Sequence, residues 1–114
     1  MVKHGATYYL LYSGGNWRGA YGMGYATSSS PTGPFTKAGT QILSETTDVD
    51  GPGGGDTPVV GPAGGTWMAY HGRSGSRQEP RVLRMDRFGW SAGNGGPDVP
   101  VIAGPTSTPQ PAQP

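Results

Sequence analysis

Residues 8–14, Tyr-Tyr-Leu-Leu-Tyr-Ser-Gly, and residues 66–72, Thr-Trp-Met-Ala-Tyr-His-Gly, carry one pattern at a spacing of 58 positions. Each is an aromatic-rich apolar run that follows a turn and stops at a glycine. A repeat of that period predicts a stack of small β-sheets, because one such unit cannot bury its own faces and must pack on a neighbour. Two copies are too few to close a ring. The pattern therefore predicts an incomplete stack with an apolar face bare at each end. Exposed faces of that size promote association, so the expected state is a homo-oligomer, a dimer first, whose copies cover each other's flanks.

Composition narrows the class. The 114 residues suit one domain. Only 32% are hydrophobic, against 22 glycines and 12 prolines, too loop-rich for a helix bundle. Three Trp, six Tyr and two Phe supply large buried areas and argue against disorder. A net charge of +1 without a basic helix speaks against nucleic acid as a partner. With no cysteine, disulfides and thiolate metal sites are unavailable. No apolar run reaches the length of a membrane-spanning helix, and Met1–Gly5 leads into a strand without an apolar signal segment. That abrupt start fits a start codon inside a longer gene, with a secreted parent, better than a cytoplasmic protein.

The chain divides into two units, about 5–52 and 53–103, followed by a Pro/Thr/Ser/Gln tail over 104–114 that reads as a linker. Residues 5–13 are expected as a strand apolar on both faces, with Gly14-Gly15-Asn16 as a turn. Residues 20–27 form a second strand, with bulky Tyr21, Met23 and Tyr25 on one face and Ala20, Gly22, Gly24 and Ala26 on the other. The small face predicts close approach of a neighbouring sheet. Short strands follow at 35–37, 41–44, 57–60, 66–71, 81–87 and 99–102. The run Glu45 to Gly55, with four glycines, a proline and three acids, is expected to be loop throughout. The fold class is all-β, antiparallel, with no helix.

Six segments occur in an informative order: Tyr-Tyr-Leu-Leu-Tyr-Ser-Gly (8–14), Tyr-Gly-Met-Gly-Tyr-Ala-Thr (21–27) with its Ser/Pro loop to Lys37, Gly-Pro-Gly-Gly-Gly (51–55), Trp-Met-Ala-Tyr-His-Gly (67–72), Arg-Val-Leu-Arg-Met-Asp-Arg-Phe-Gly-Trp (81–90) and Gly-Pro-Thr (104–106). Over residues 5–106 this order resembles the C-terminal part of family-43 glycoside hydrolases, five-bladed β-propellers that cleave arabinose- and xylose-containing polysaccharides. The resemblance implies that the chain forms the last two blades of such an enzyme, completed by oligomerisation. It also implies a carbohydrate partner and an inverting mechanism with three carboxylates. An inverting pair stands roughly 6.5–9.5 Å apart so that water fits between base and sugar. In the family the base and the third carboxylate lie in the first two blades, and the acid lies in a Glu-Gly-Pro motif upstream of the strand matching Tyr8–Tyr12. All three positions are expected to fall outside this chain. Many relatives place a histidine after Gly-Pro-Gly to help hold a metal or water. The matching residue here is Gly54, which puts that metal in doubt, so no cofactor is expected.

Candidate residues each carry a competing structural role. Asp56 follows the glycine run and suits a general base or a sugar hydroxyl partner; equally, it can cap backbone amides. Glu45, Asp48 and Asp50 share a loop and suit an acid paired with Asp56, or a solvated surface. His71 ends the second repeat strand and can line a cleft or satisfy local structure. Trp17 and Arg18, with Tyr21 nearby, suit a platform on which a sugar ring stacks, or packing between blades. Arg81 and Arg84 are expected to pair with Asp86 or Glu79 across strands. Two functions follow: residual hydrolysis of sugar polymers, or a non-catalytic carbohydrate-binding or assembly module.

Overall fold

The computed structural model describes residues 1–16, 19–55, 57–75 and 80–109. Among these residues there are nine strands and no helix: β1 (Val2–His4), β2 (Thr7–Asn16), β3 (Gly19–Ser28), β4 (Thr36–Leu43), β5 (Val49–Gly53), β6 (Val59–Val60), β7 (Thr66–Ser74), β8 (Val82–Ser91) and β9 (Val99–Ile102). They form two antiparallel sheets, ordered β1-β2-β3-β4 and β5-β7-β8-β9, with β6 added beside β7. The two copies of the repeat, β2 and β7, hold the same place, each second in its sheet and each paired to a long following strand.

Alternation along these strands sets the packing, since successive side chains point to opposite faces. Tyr9 and Leu11 of β2 are buried while Leu10 between them is 40% exposed. On β7, Met68 and Tyr70 are buried and Ala69 is exposed. The shared core holds Tyr9, Leu11, Met23, Tyr25 and Leu43 from the first sheet and Met68, Tyr70, Phe88 and Ile102 from the second. At the 58-residue spacing, Met68 and Tyr70 are the counterparts of Leu10 and Tyr12. The front of the first sheet therefore packs on the back of the second, as in a stack of like-oriented repeats.

A clasp joins the sheets at one end. His4 of β1 stacks on Trp90 of β8 with ring centroids 3.9 Å apart, and its Nε2 lies 2.9 Å from the Asp98 carboxylate. The Tyr9 hydroxyl donates to the Asp98 carbonyl at 2.5 Å.

Several local expectations change. β2 continues through Gly14 to Asn16, beyond the expected turn. The pieces expected at 35–37 and 41–44 are one edge strand, β4. The run 45–55 is not irregular throughout, because Val49–Gly53 pairs with β7 and belongs to the second sheet. The sheets thus part between Leu43 and Val49. The glycine face of β3 does not receive the neighbouring sheet. The Tyr12 ring of the same sheet lies over Gly24, with its hydroxyl 3.2 Å from where a Cβ would stand, and Gln41 and the Leu43 carbonyl crowd Gly22. The bulky face, Met23 and Tyr25, makes the contact between sheets.

Segment 104–106 is also more than a tail. Asp86, 1% exposed, accepts bonds from the Tyr70 hydroxyl at 2.5 Å, the Thr106 hydroxyl at 2.6 Å and the Thr106 amide at 3.1 Å. The guanidinium of Arg84 donates to the Thr106 carbonyl and to Ser74. The expected Arg84–Asp86 pair is replaced by this arrangement, in which a buried carboxylate is satisfied by hydroxyl and amide donors. Glu79 lies outside the described residues.

Candidate functional site

The glycine run explains how a site forms where the sheets meet. As β5 ends it threads between them, and four side chains lie against three successive glycines. A Cβ on Gly53 would strike the Tyr21 ring; one on Gly54 would stand 2.5 Å from Cδ2 and 2.8 Å from Nε2 of His71; one on Gly55 would meet Sδ of Met68 at 2.8 Å and Sδ of Met23 at 3.1 Å. Gly54 also has φ +78°, a left-handed conformation that glycine adopts without steric cost. Its amide donates to Ser13 Oγ at 2.6 Å, tying β5 to β2.

Beside this crossing lies a cleft of about 100 Å³ lined by Tyr21, Gly51, His71, Arg73 and Arg81. Tyr21 comes from the first sheet; the other four belong to the second or the loop entering it. The Tyr21 and His71 rings are near parallel, 14° apart, with centroids at 6.3 Å. His71 and Arg73, two apart on β7, share a face. The Nη1 of Arg73 stands 3.7 Å from Asp50. Burial, then the charges of Arg81 and Arg73, push the His71 imidazole below its usual 6.5, so it is neutral at pH 7. Its Nδ1 is buried without a hydrogen-bond partner. A neutral imidazole gives one donor and one acceptor, and each guanidinium gives only donors. The cleft can thus bind hydroxyl or anionic oxygen, with an aromatic wall alongside.

Of the residues singled out from the sequence, Tyr21 and His71 meet in this cleft, and Asp50 borders it through Arg73. Asp48 lines a separate groove with Ser74, Gly75, Arg84 and Ser107, and Glu45 is exposed. Asp56, Trp17 and Arg18 lie outside the described residues. Sequence reasoning missed Arg73 and assigned Arg81 to a cross-strand pair. The His-x-Arg spacing on a strand was the available signal for Arg73. Among the described residues no three of His, Cys, Asp or Glu are grouped to hold a metal. The space beside Gly54 belongs to His71, so a histidine at 54 would not be accommodated.

Like-oriented antiparallel sheets packed front to back, one of four strands and one of four with β6 added, are the blades of a β-propeller. Residues 1–95 match the family model described as glycosyl hydrolases family 43, and the chain belongs to that family. It is similar to the β-D-galactofuranosidase xynD of Aspergillus niger, with 35% identity over 92 residues, covering 77% of this chain and 27% of that protein. It is similar in structure to a thermostable family-43 glycoside hydrolase, with TM-score 0.81 and 32% identity over 98% of this chain and 36% of the other. An endo-1,4-β-xylanase of Bacteroides thetaiotaomicron gives TM-score 0.73 and 32% identity over 90% and 35%. The chain therefore spans about a quarter of the curated relative and about a third of the solved ones.

Proposed function

We propose that the chain is the two-blade portion of a hydrolase acting on arabinose- and xylose-containing polysaccharides, and that the Tyr21–His71–Arg73–Arg81 cleft is the part of the sugar site it contributes. The observation carrying this reading is the convergence of these four side chains where two family-43 blades meet. A xylanase among the similar structures supports the xylose part of that substrate class, and the galactofuranosidase supports a sugar ligand. On this reading the family's three carboxylates lie outside residues 1–114. The chain alone then binds sugar but turns it over weakly, since a positioned acid or base contributes ~10²–10⁴-fold. Asp56 is the candidate base for any residual turnover, and Trp17 and Arg18 would extend the sugar platform.

Binding is tested by titrating the full chain and His71→Ala with xylo- and arabino-oligosaccharides in a calorimeter. Saturable heat that the variant loses supports the cleft; equal binding by both proteins refutes it. Turnover is tested with nitrophenyl arabinofuranoside and xyloside, where an unchanged rate for Asp56→Ala eliminates that residue.

The reading also includes self-association. Leu83 is 79% exposed, Val60 72%, Val59 51% and Leu10 40%. Leu10 and Leu83 lie on strands whose other faces form the core, and both residues of β6 are exposed, so the stack carries bare apolar side chains on both sheets. A homo-oligomer, a dimer first, would cover these flanks. Light scattering at micromolar concentration decides it, and a stable monomer refutes it.

A further inference from the structure

We infer that the cleft receives a carboxylate carried by the saccharide, so that an acidic oligosaccharide bearing a uronic acid is preferred over the same chain without one. The inference rests on reading the cleft as a sugar site, and adds the charge of its ligand.

Charge and unused bonding capacity carry the argument. Arg73 and Arg81 both face the cleft. The ion pair formed there is Arg73 with Asp50, and at 3.7 Å it is longer than a direct hydrogen bond. Among the described residues no ion pair involves Arg81. His71 adds no positive charge of its own, because burial first, and then the charges of Arg81 and Arg73, lower its pKa. Its buried Nδ1 has no hydrogen-bond partner. The site thus holds two cations and one loosely held carboxylate.

A planar guanidinium matches a carboxylate with two parallel N–H···O bonds, a stronger and more directional pairing than it makes with a hydroxyl. At about 100 Å³ the cleft suits one group of a sugar residue rather than a whole oligomer. The Tyr21 ring beside His71 gives the C–H face of that residue an apolar wall. A hexuronic acid presents both features, with its carboxylate one bond from the ring.

The test uses the full chain at low salt with three probes: a xylo-oligosaccharide bearing glucuronic acid, the same oligosaccharide without it, and sodium acetate. The acidic oligosaccharide is expected to bind about tenfold tighter than the neutral one, or about 1.4 kcal/mol. Raising the salt should weaken the acidic ligand alone. Arg81→Gln should bring the acidic-to-neutral ratio towards one, and Arg81→Lys should restore part of it. Arg81 is exposed, so the variants are expected to melt as the parent does. Equal affinity for the two oligosaccharides overturns the inference while leaving a neutral-sugar cleft standing. Binding of neither overturns both. Acetate displacing the acidic ligand at equal concentration overturns the saccharide part, leaving a simple anion site.

Discussion

The two sheets begin from one strand pattern and end differently. In the first, part of the outward face is covered from within, although Leu10 stays 40% exposed: the Tyr12 ring lies over Gly24, and the Lys37 ammonium stands 5.8 Å from that ring. In the second, the outward face carries Leu83 and Val59 with little cover, while Trp67 is sealed beneath the Arg87 guanidinium at 4.5 Å. The second sheet instead spends a buried carboxylate, Asp86, on docking the segment that follows β9. A repeat in sequence therefore fixes where a strand sits, while the residues opposite it decide how much of its outer face is covered.

The sharpest way to break this contrast is at Asp86. Asp86→Ala leaves the buried Tyr70 hydroxyl and the Thr106 donors without an acceptor, and should cost about 3 kcal/mol in urea denaturation. A loss below about 1 kcal/mol would mean that segment 104–106 is not docked in solution.

Glycines at two places separate contact between sheets from contact within one. At Gly55 a methyl meets Met68 Sδ, Met23 Sδ and the Ala69 carbonyl oxygen at 2.9 Å, so Gly55→Ala should cost about 2 kcal/mol through overpacking. At Gly24 the nearest atom is the far end of the Tyr12 side chain at 3.2 Å, which can yield; Gly24→Ala should cost less than about 1 kcal/mol. Equal losses at the two sites would erase the distinction.

Titration gives smaller effects. Burial and then the hydrogen bond to Asp86 raise the Tyr70 phenol well above its usual 10.0. A raised folded-state value means a contribution present below pH 10 and lost as pH rises further. Tyr70→Phe should therefore flatten the alkaline fall in stability. The imidazole of His71 has the opposite sign. Its folded-state value is depressed, so the unfolded chain takes up the proton first, and stability should decline as pH drops below 6.5. The groups facing it are Tyr21, Arg73 and Arg81, with Asp50 beyond Arg73. His71→Gln should lessen that acid-side decline.

Much of the architecture was legible. The β2/β7 repeat, the all-β class and the family resemblance follow from aromatic runs, glycine stops and motif order. What escaped was set by distant partners. The strand at Val49–Gly53 is hidden by its glycines and proline, and forms because β7 supplies its ladder. The small face of β3 pointed to a neighbouring sheet, but Tyr12 reached it first. Asp86 looked like half of a surface ion pair, because nothing local announces that Thr106 returns to it. In the cleft, Tyr21 and His71 were visible as isolated polar aromatics, whereas their meeting with Arg73 and Arg81 depends on how the sheets cross at three glycines.

Backbone and side-chain NMR of the labelled full chain during titration with xylo- and arabino-oligosaccharides tests the functional claim most directly. The account predicts saturable shifts centred on Tyr21, Gly51, His71, Arg73 and Arg81, with β4 and β9 undisturbed. Shifts confined to another surface, or none at millimolar sugar, would contradict it.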